Sequence, residues 1–142
     1  MAITITLYPS FKTKLGQKAI ALNADTIKVA LLGVGAAYNS AHDEWADISA
    51  NEIANGNGYT TGGLTLTNVT WTNNAGTVTL DADDASWTIS GSAVSAYYAA
   101  IVDTTASGSP LIAFLDLGGI NTASPGALFK LPWNASGILT LV

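Results

Sequence analysis

Leu64-Thr65-Leu66-Thr67-Asn68-Val69-Thr70-Trp71-Thr72-Asn73-Asn74-Ala75-Gly76-Thr77-Val78-Thr79-Leu80-Asp81-Ala82 is the stretch that decides the fold class. Leu64 and Leu66, then Val69 and Trp71, alternate with polar residues at the period of a half-buried strand. The alternation slips phase between Thr67 and Asn68, which predicts one inserted bulge residue. Asn73-Asn74-Ala75-Gly76 supplies a turn, and Val78, Leu80 and Ala82 resume the alternation. The segment therefore reads as an antiparallel hairpin.

Outward from the hairpin the same pattern continues. Thr26–Leu32 is a near-continuous apolar run, suited to a strand covered on both faces, and Gly33-Val34-Gly35 closes it. Trp87–Ile89, Ala93–Asp103, Leu111–Leu117, Ala127–Trp133 and Ile138–Val142 read as further strands, separated by turns such as Thr104–Pro110 and Gly118–Gly126. Residues 34–63 form a long polar stretch with one short helical turn near Trp45–Ile48, and stretches of this length are usually functional or interfacial. At the N-terminus Ile3, Ile5 and Leu7 alternate, and Pro9 ends that strand. Ser10 stands where it can cap a helix over residues 11–21, on which Phe11, Leu15, Ala19 and Leu22 share one face. Gly16 costs this helix about 1 kcal/mol relative to alanine. Lys12 and Lys14 lie at the wrong end of its dipole, so the helix depends on docking. The pattern predicts a mainly β fold: an antiparallel β-sandwich or partly closed barrel of about nine strands with one short N-terminal helix. It is expected as a single domain over residues 1–142, with 1–25 as a strand-helix arm.

Composition narrows the chemistry. Cysteine is absent, which removes disulfide scaffolds, thiol catalysis, zinc fingers and iron–sulfur sites. All five basic residues are lysines and His42 is the only histidine, so arginine clamps are absent, histidine acid–base work has a single residue to draw on, and nucleotide enzymes and hydrolases both lose weight. The net charge of −5 opposes binding to nucleic acid or to an anionic membrane. There is no run of about 18 apolar residues and no basic segment followed by an apolar core at the N-terminus, so neither a membrane span nor a secretory signal is expected. Charged residues are only 11% of the chain, while Ala, Thr, Gly, Ser and Asn make up 75 of the 142 residues. A surface so poor in charge predicts burial against sister subunits, with a homotrimer as the first expectation.

Charge is also unevenly placed. Residues 1–30 hold Lys12, Lys14, Lys18 and Lys28 against Asp25, a sum of +3, whereas residues 31–142 sum to −8. A basic arm beside an acidic body commonly docks on an acidic partner. Phe11, Lys12, Lys14, Leu15 and Lys18 are therefore the candidate partner-binding residues. The competing reading packs the apolar stripe on the protein's own sheet and leaves the lysines solvated.

No candidate catalytic, cofactor-binding or metal-binding residue emerges. Gly33-Val34-Gly35-Ala36-Ala37-Tyr38 begins like a dinucleotide loop, but Tyr38 fills a small-residue position and no periodic helix follows. Gly56–Gly63 lacks both the spacing and the lysine of a phosphate loop and reads as a tight turn that frees Tyr59. His42, Asp43, Glu44 and Asp47 offer cation donors without the order of a calcium loop or a zinc spacing. Asp81, Asp83 and Asp84 read as turn caps, and Asp116 in an apolar strand reads as a strand-end hydrogen bond rather than a buried acid. Trp45, Trp71, Trp87 and Trp133 could form a sugar-stacking platform, against a default of core and interface packing. No cofactor and no small-molecule substrate are expected.

The order of several segments resembles a group of small virion proteins of tailed bacteriophages. The segments are Ala21–Leu32, His42–Ile48 with Asn51-Glu52, Gly58–Gly63, Asp84–Trp87, Pro110–Gly118 and Trp133–Leu141. The resemblance runs from about Phe11 to the C-terminus. It implies a non-enzymatic structural protein on the phage particle surface, made in the host cytoplasm. The first expectation is a capsid decoration or cement protein whose partners are the major capsid protein and copies of itself. The alternative is a fibre or tail component that binds a host-surface glycan.

Overall fold

The computed structural model describes residues 1–142, with strands β1 (Thr4–Leu7), β2 (Ile27–Leu32), β3 (Leu64–Thr65), β4 (Thr70–Asn74), β5 (Thr77–Asp81), β6 (Ala85–Thr88), β7 (Val94–Asp103), β8 (Leu111–Ala123), β9 (Leu128–Leu131) and β10 (Leu139–Leu141). The single α-helix, α1, spans Pro9–Gly16 between β1 and β2, and two 3₁₀ turns lie at Trp45–Asp47 and Ser49–Asn51. Every strand pairing is antiparallel. The main sheet has the order β1-β8-β7-β2-β3, and β10-β5-β4 and β6-β9 form two smaller sheets.

The main core joins Val29 and Leu31 of β2, Ala99 and Ile101 of β7 and Leu115 of β8 to Leu80, Trp87, Phe129 and Leu139 of the smaller sheets. The other face of the main sheet carries a second core of Leu32, Ala100, Val102 and Phe114, closed by Tyr8, Ala36 and Ile48. Strand β2 is thus covered on both sides, as its unbroken apolar run requires. The result is a sandwich-like stack with free edges at β1 and β3, and no closed barrel.

Several boundaries depart from the sequence expectation, each for a physical reason. The helix ends at Gly16 rather than near residue 21, and Lys18 takes φ +61, reversing the chain. Ala19 is exposed and Leu22 is buried beyond the helix, so the four-residue stripe does not exist as one face. Tyr8, not Ser10, holds the N-cap position, with Pro9 opening the first turn and no side-chain cap. The phase slip after Thr67 is not a bulge inside one strand. Leu64-Thr65 pairs with β2, while Thr70–Asn74 pairs with β5, so the chain changes sheets across Asn68, whose φ is +54. The hairpin closes through Ala75 and Gly76, both at positive φ, the geometry of a type I′ turn. Strand β8 runs on past Leu117, through an irregularity at Gly118-Gly119, to rejoin β7 at Asn121↔Ala96.

Candidate partner-binding surface

The basic arm is half built into the protein. Phe11 is fully buried and belongs to the main core, and the half-buried Leu15 packs on the same core. Phe11 is therefore no surface anchor, because its apolar area is already spent inside this chain. Lys12 and Lys18 are exposed, whereas Lys14 is half-buried. The Lys14 Nζ lies 3.7 Å from the Asp43 Oδ2 and donates to the Asp43 carbonyl at 3.4 Å. One of the three helix-region lysines thus ties the arm to the acidic loop of its own body.

That loop uses its carboxylates as local caps. Asp47 Oδ2 accepts from the amides of Asp43 and Glu44 at 2.9 and 3.1 Å. These donors, with a smaller contribution from nearby His42, hold the Asp47 carboxyl below its ordinary range. Main-chain bonds from Trp45 to Ser109 and from Leu111 to Asp43 fix the loop against the β7–β8 connection. Tyr8 Oη, Ser10 Oγ and His42 Nδ1 are buried without a hydrogen-bond partner. Burial, with Tyr38 and Asp47 nearby, pushes the Tyr8 phenol well above its ordinary value.

The Gly-rich segment turns Tyr59 inward instead of freeing it. Tyr59 is 2% exposed; its hydroxyl donates to Glu52 Oε1 at 2.7 Å and accepts from the Leu31 amide at 3.0 Å. Glu52 Oε1 also accepts from the Gly62 amide at 2.6 Å, so one carboxylate gathers both ends of the turn. Burial foremost, then Glu52, raises the Tyr59 phenol far above its ordinary value.

The remaining carboxylates are also engaged locally. Asp83 Oδ2 accepts from Thr67 Oγ1 and Asn68 Nδ2, across the point where the chain changes sheets. Asp84 accepts from the Trp133 amide at 2.9 Å and pairs with Lys130 at 3.2 Å, which together hold its carboxyl low. Asp116 is exposed and accepts from the Gly118 amide at 2.9 Å. No three His, Asp or Glu side chains converge on one point. Trp87 is buried between Tyr59 and Phe129, at ring-centroid distances of 5.9 and 6.2 Å. Trp71 and Trp133 pack half-buried against the main core and Trp45 against the second, so the tryptophans do not share one exposed platform. The largest surface cleft, about 210 Å³, lies beside β1 and is lined by Met1, Ile3, Ile5, Trp133 and Ile138. Ligand pockets usually begin at roughly 300 Å³.

Sequence reasoning missed the meeting of Asp25 with Asp103, the one fully buried charged residue. Its signal was an aspartate ending an apolar strand directly before Thr104-Thr105, a pattern that favours a side-chain-capped turn. No helix is long and apolar enough to cross a membrane. Comparison of the chain with family models, curated proteins and solved structures finds no match.

Proposed function

We propose that the chain is a non-enzymatic structural protein of a tailed-bacteriophage particle, a decoration protein that stabilises the head by bridging shell subunits. Its partners are the major capsid protein and copies of itself, assembled as a homotrimer on the particle surface after synthesis in the host cytoplasm. The observation that supports this reading most is the partition of charge. Residues 1–30 carry +3 and keep Lys12 and Lys18 exposed, while residues 31–142 carry −8. The resemblance of the segment order to small phage virion proteins points the same way. Bridging is mechanical: each copy adds interface area that must be broken before the shell opens, and many copies multiply the effect.

Replacing Lys12 and Lys18 with glutamine tests the arm. Exposed charges contribute about 0–1 kcal/mol to folding but steer association. The double variant is expected to keep its melting temperature and to bind undecorated particles more weakly, with less dependence on salt. Unchanged binding at low salt defeats the anchoring role. Copy number per particle separates decoration, with many copies, from a fibre or tail component, with few.

A further inference from the structure

Asp103 ends β7, and none of its surface is exposed. Its Oδ1 accepts from the amides of Thr105 and Ala106 at 3.0 and 3.1 Å, which shapes the start of the β7–β8 loop. Its Oδ2 is buried and receives no N–H or hydroxyl donor. The carboxyl of Asp25 lies within hydrogen-bond reach of the Asp103 carboxyl, and its own Oδ2 accepts from the Ala21 amide at 2.9 Å. The surrounding backbone holds the two acids together. Thr104 donates to the Thr26 carbonyl through its amide at 3.0 Å and its hydroxyl at 3.2 Å, and the Thr26 amide donates to Thr105 Oγ1 at 2.8 Å. Ile27 pairs with Asp103 in the sheet ladder.

Two carboxylates in contact cannot both stay ionised cheaply, so this geometry calls for one proton between them. No cation relieves the repulsion. The loop Thr104–Pro110 carries no charge and neither does the start of β8. On β2 the only charged residue, Lys28, alternates to the face opposite Ile27 and pairs with Val102. On the arm side Asp25 itself is the only charged group between Ala19 and Ile27.

We propose that Asp25 and Asp103 form a one-proton latch, which fastens the turn at residues 21–26 to the β7–β8 loop and loosens when the proton leaves. The latch joins the basic arm to the loop that holds the 43–45 segment, so its state sets how firmly the arm sits on the body. The inference is independent of the proposed function.

The direction of the pH effect follows from the two acids. Burial first, and then the hydrogen bond with Asp25, raises Asp103 from its ordinary 3.8 to about 6. Its contribution is complete near pH 4 and is lost as the pH rises through about 6. Asp25, which gains the hydrogen bond from Asp103 and the Ala21 amide, is held below its ordinary value. Its contribution is lost only at more acid pH, as the pH falls through that lowered value. The latch is firmest between the two.

Carbon-13 titration of the carboxyl groups in the full chain, with hydrogen exchange at the Ala21, Thr105 and Ala106 amides, tests the proposal. Asp103 is expected to titrate near pH 6. After correction for intrinsic chemistry, exchange at the three amides is expected to quicken about tenfold between pH 5 and pH 7.5. Asp103→Asn keeps an acceptor for Thr105 and Ala106 and donates an N–H to Asp25, so the quickening should vanish. Asp25→Asn places an N–H donor against Asp103, so the Asp103 midpoint should fall to its ordinary range or below. An Asp103 midpoint in the ordinary range in the native chain overturns the latch, as does quickening that survives in Asp103→Asn. If Asp103→Asn does not fold, an unmoved Asp103 midpoint in Asp25→Asn overturns it equally.

Discussion

Tyr59 shows how one side chain can organise a loop that has no secondary structure of its own. Its hydroxyl satisfies the Leu31 amide in the middle of β2 and holds Glu52, which in turn holds Gly62. Tyr59→Phe leaves the buried Leu31 N–H without a partner, a loss of about 1–3 kcal/mol. Urea denaturation should show a lower midpoint with an unchanged slope. The neighbouring glycines make a sharper contrast. Gly62 and Gly63 both have positive φ, yet a Cβ at Gly62 meets open space, whereas one at Gly63 overlaps the Val29 carbonyl. Gly62→Ala is expected to cost about 1–2 kcal/mol for its backbone alone. Gly63→Ala should cost more by at least about 1 kcal/mol, because β2 cannot yield without disturbing the main sheet. The turn at residues 56–63 was legible from its glycines. The burial of Tyr59 was not, since its partners come from two other segments and leave no periodic trace beside it.

At the scale of elements, α1 is the part whose length the sequence overstated. A stripe at spacings of four, four and three is a valid helix face, but Gly16 and the left-handed Lys18 end the helix before Ala19. Gly16 has open space around its missing Cβ and lies in ordinary helical backbone. Gly16→Ala is therefore expected to stabilise the protein by about 0.4–1 kcal/mol, read as a rise in thermal midpoint. A fall would mean that the helix end needs the glycine's freedom. The β elements were more legible because alternation marks a half-buried strand directly. What alternation cannot tell is whether a phase slip bends one strand or hands the chain to another sheet. Here the crossing rests on Leu66, whose amide bonds to Ile27, and on Asp83, which clasps Thr67 and Asn68. Asp83→Ala removes that clasp and should free the 66–69 crossing, seen as faster amide exchange there while β5 stays protected.

For the whole molecule, a surface of small neutral residues and few charges predicts association. The isolated protein is expected to run as a stable oligomer, with a trimer as the first expectation. Light scattering across a gel-filtration peak measures this, and a monodisperse monomer at micromolar concentration sinks the argument from composition. Sandwich architecture and charge partition could be read from residue types alone. The Asp25–Asp103 contact could not, because it depends on β2 lying beside β7, a pairing between segments far apart in the chain. The same topology governs how the protein is made. β1 has a single strand partner, β8, with Thr4 opposite Asp116, so it leaves the ribosome long before its partner exists. At ordinary synthesis rates that interval is on the order of ten seconds. Throughout it Ile3, Ile5 and Leu7 stay unpaired, so of all the strands β1 waits longest for its partner and is the most exposed to chaperones meanwhile.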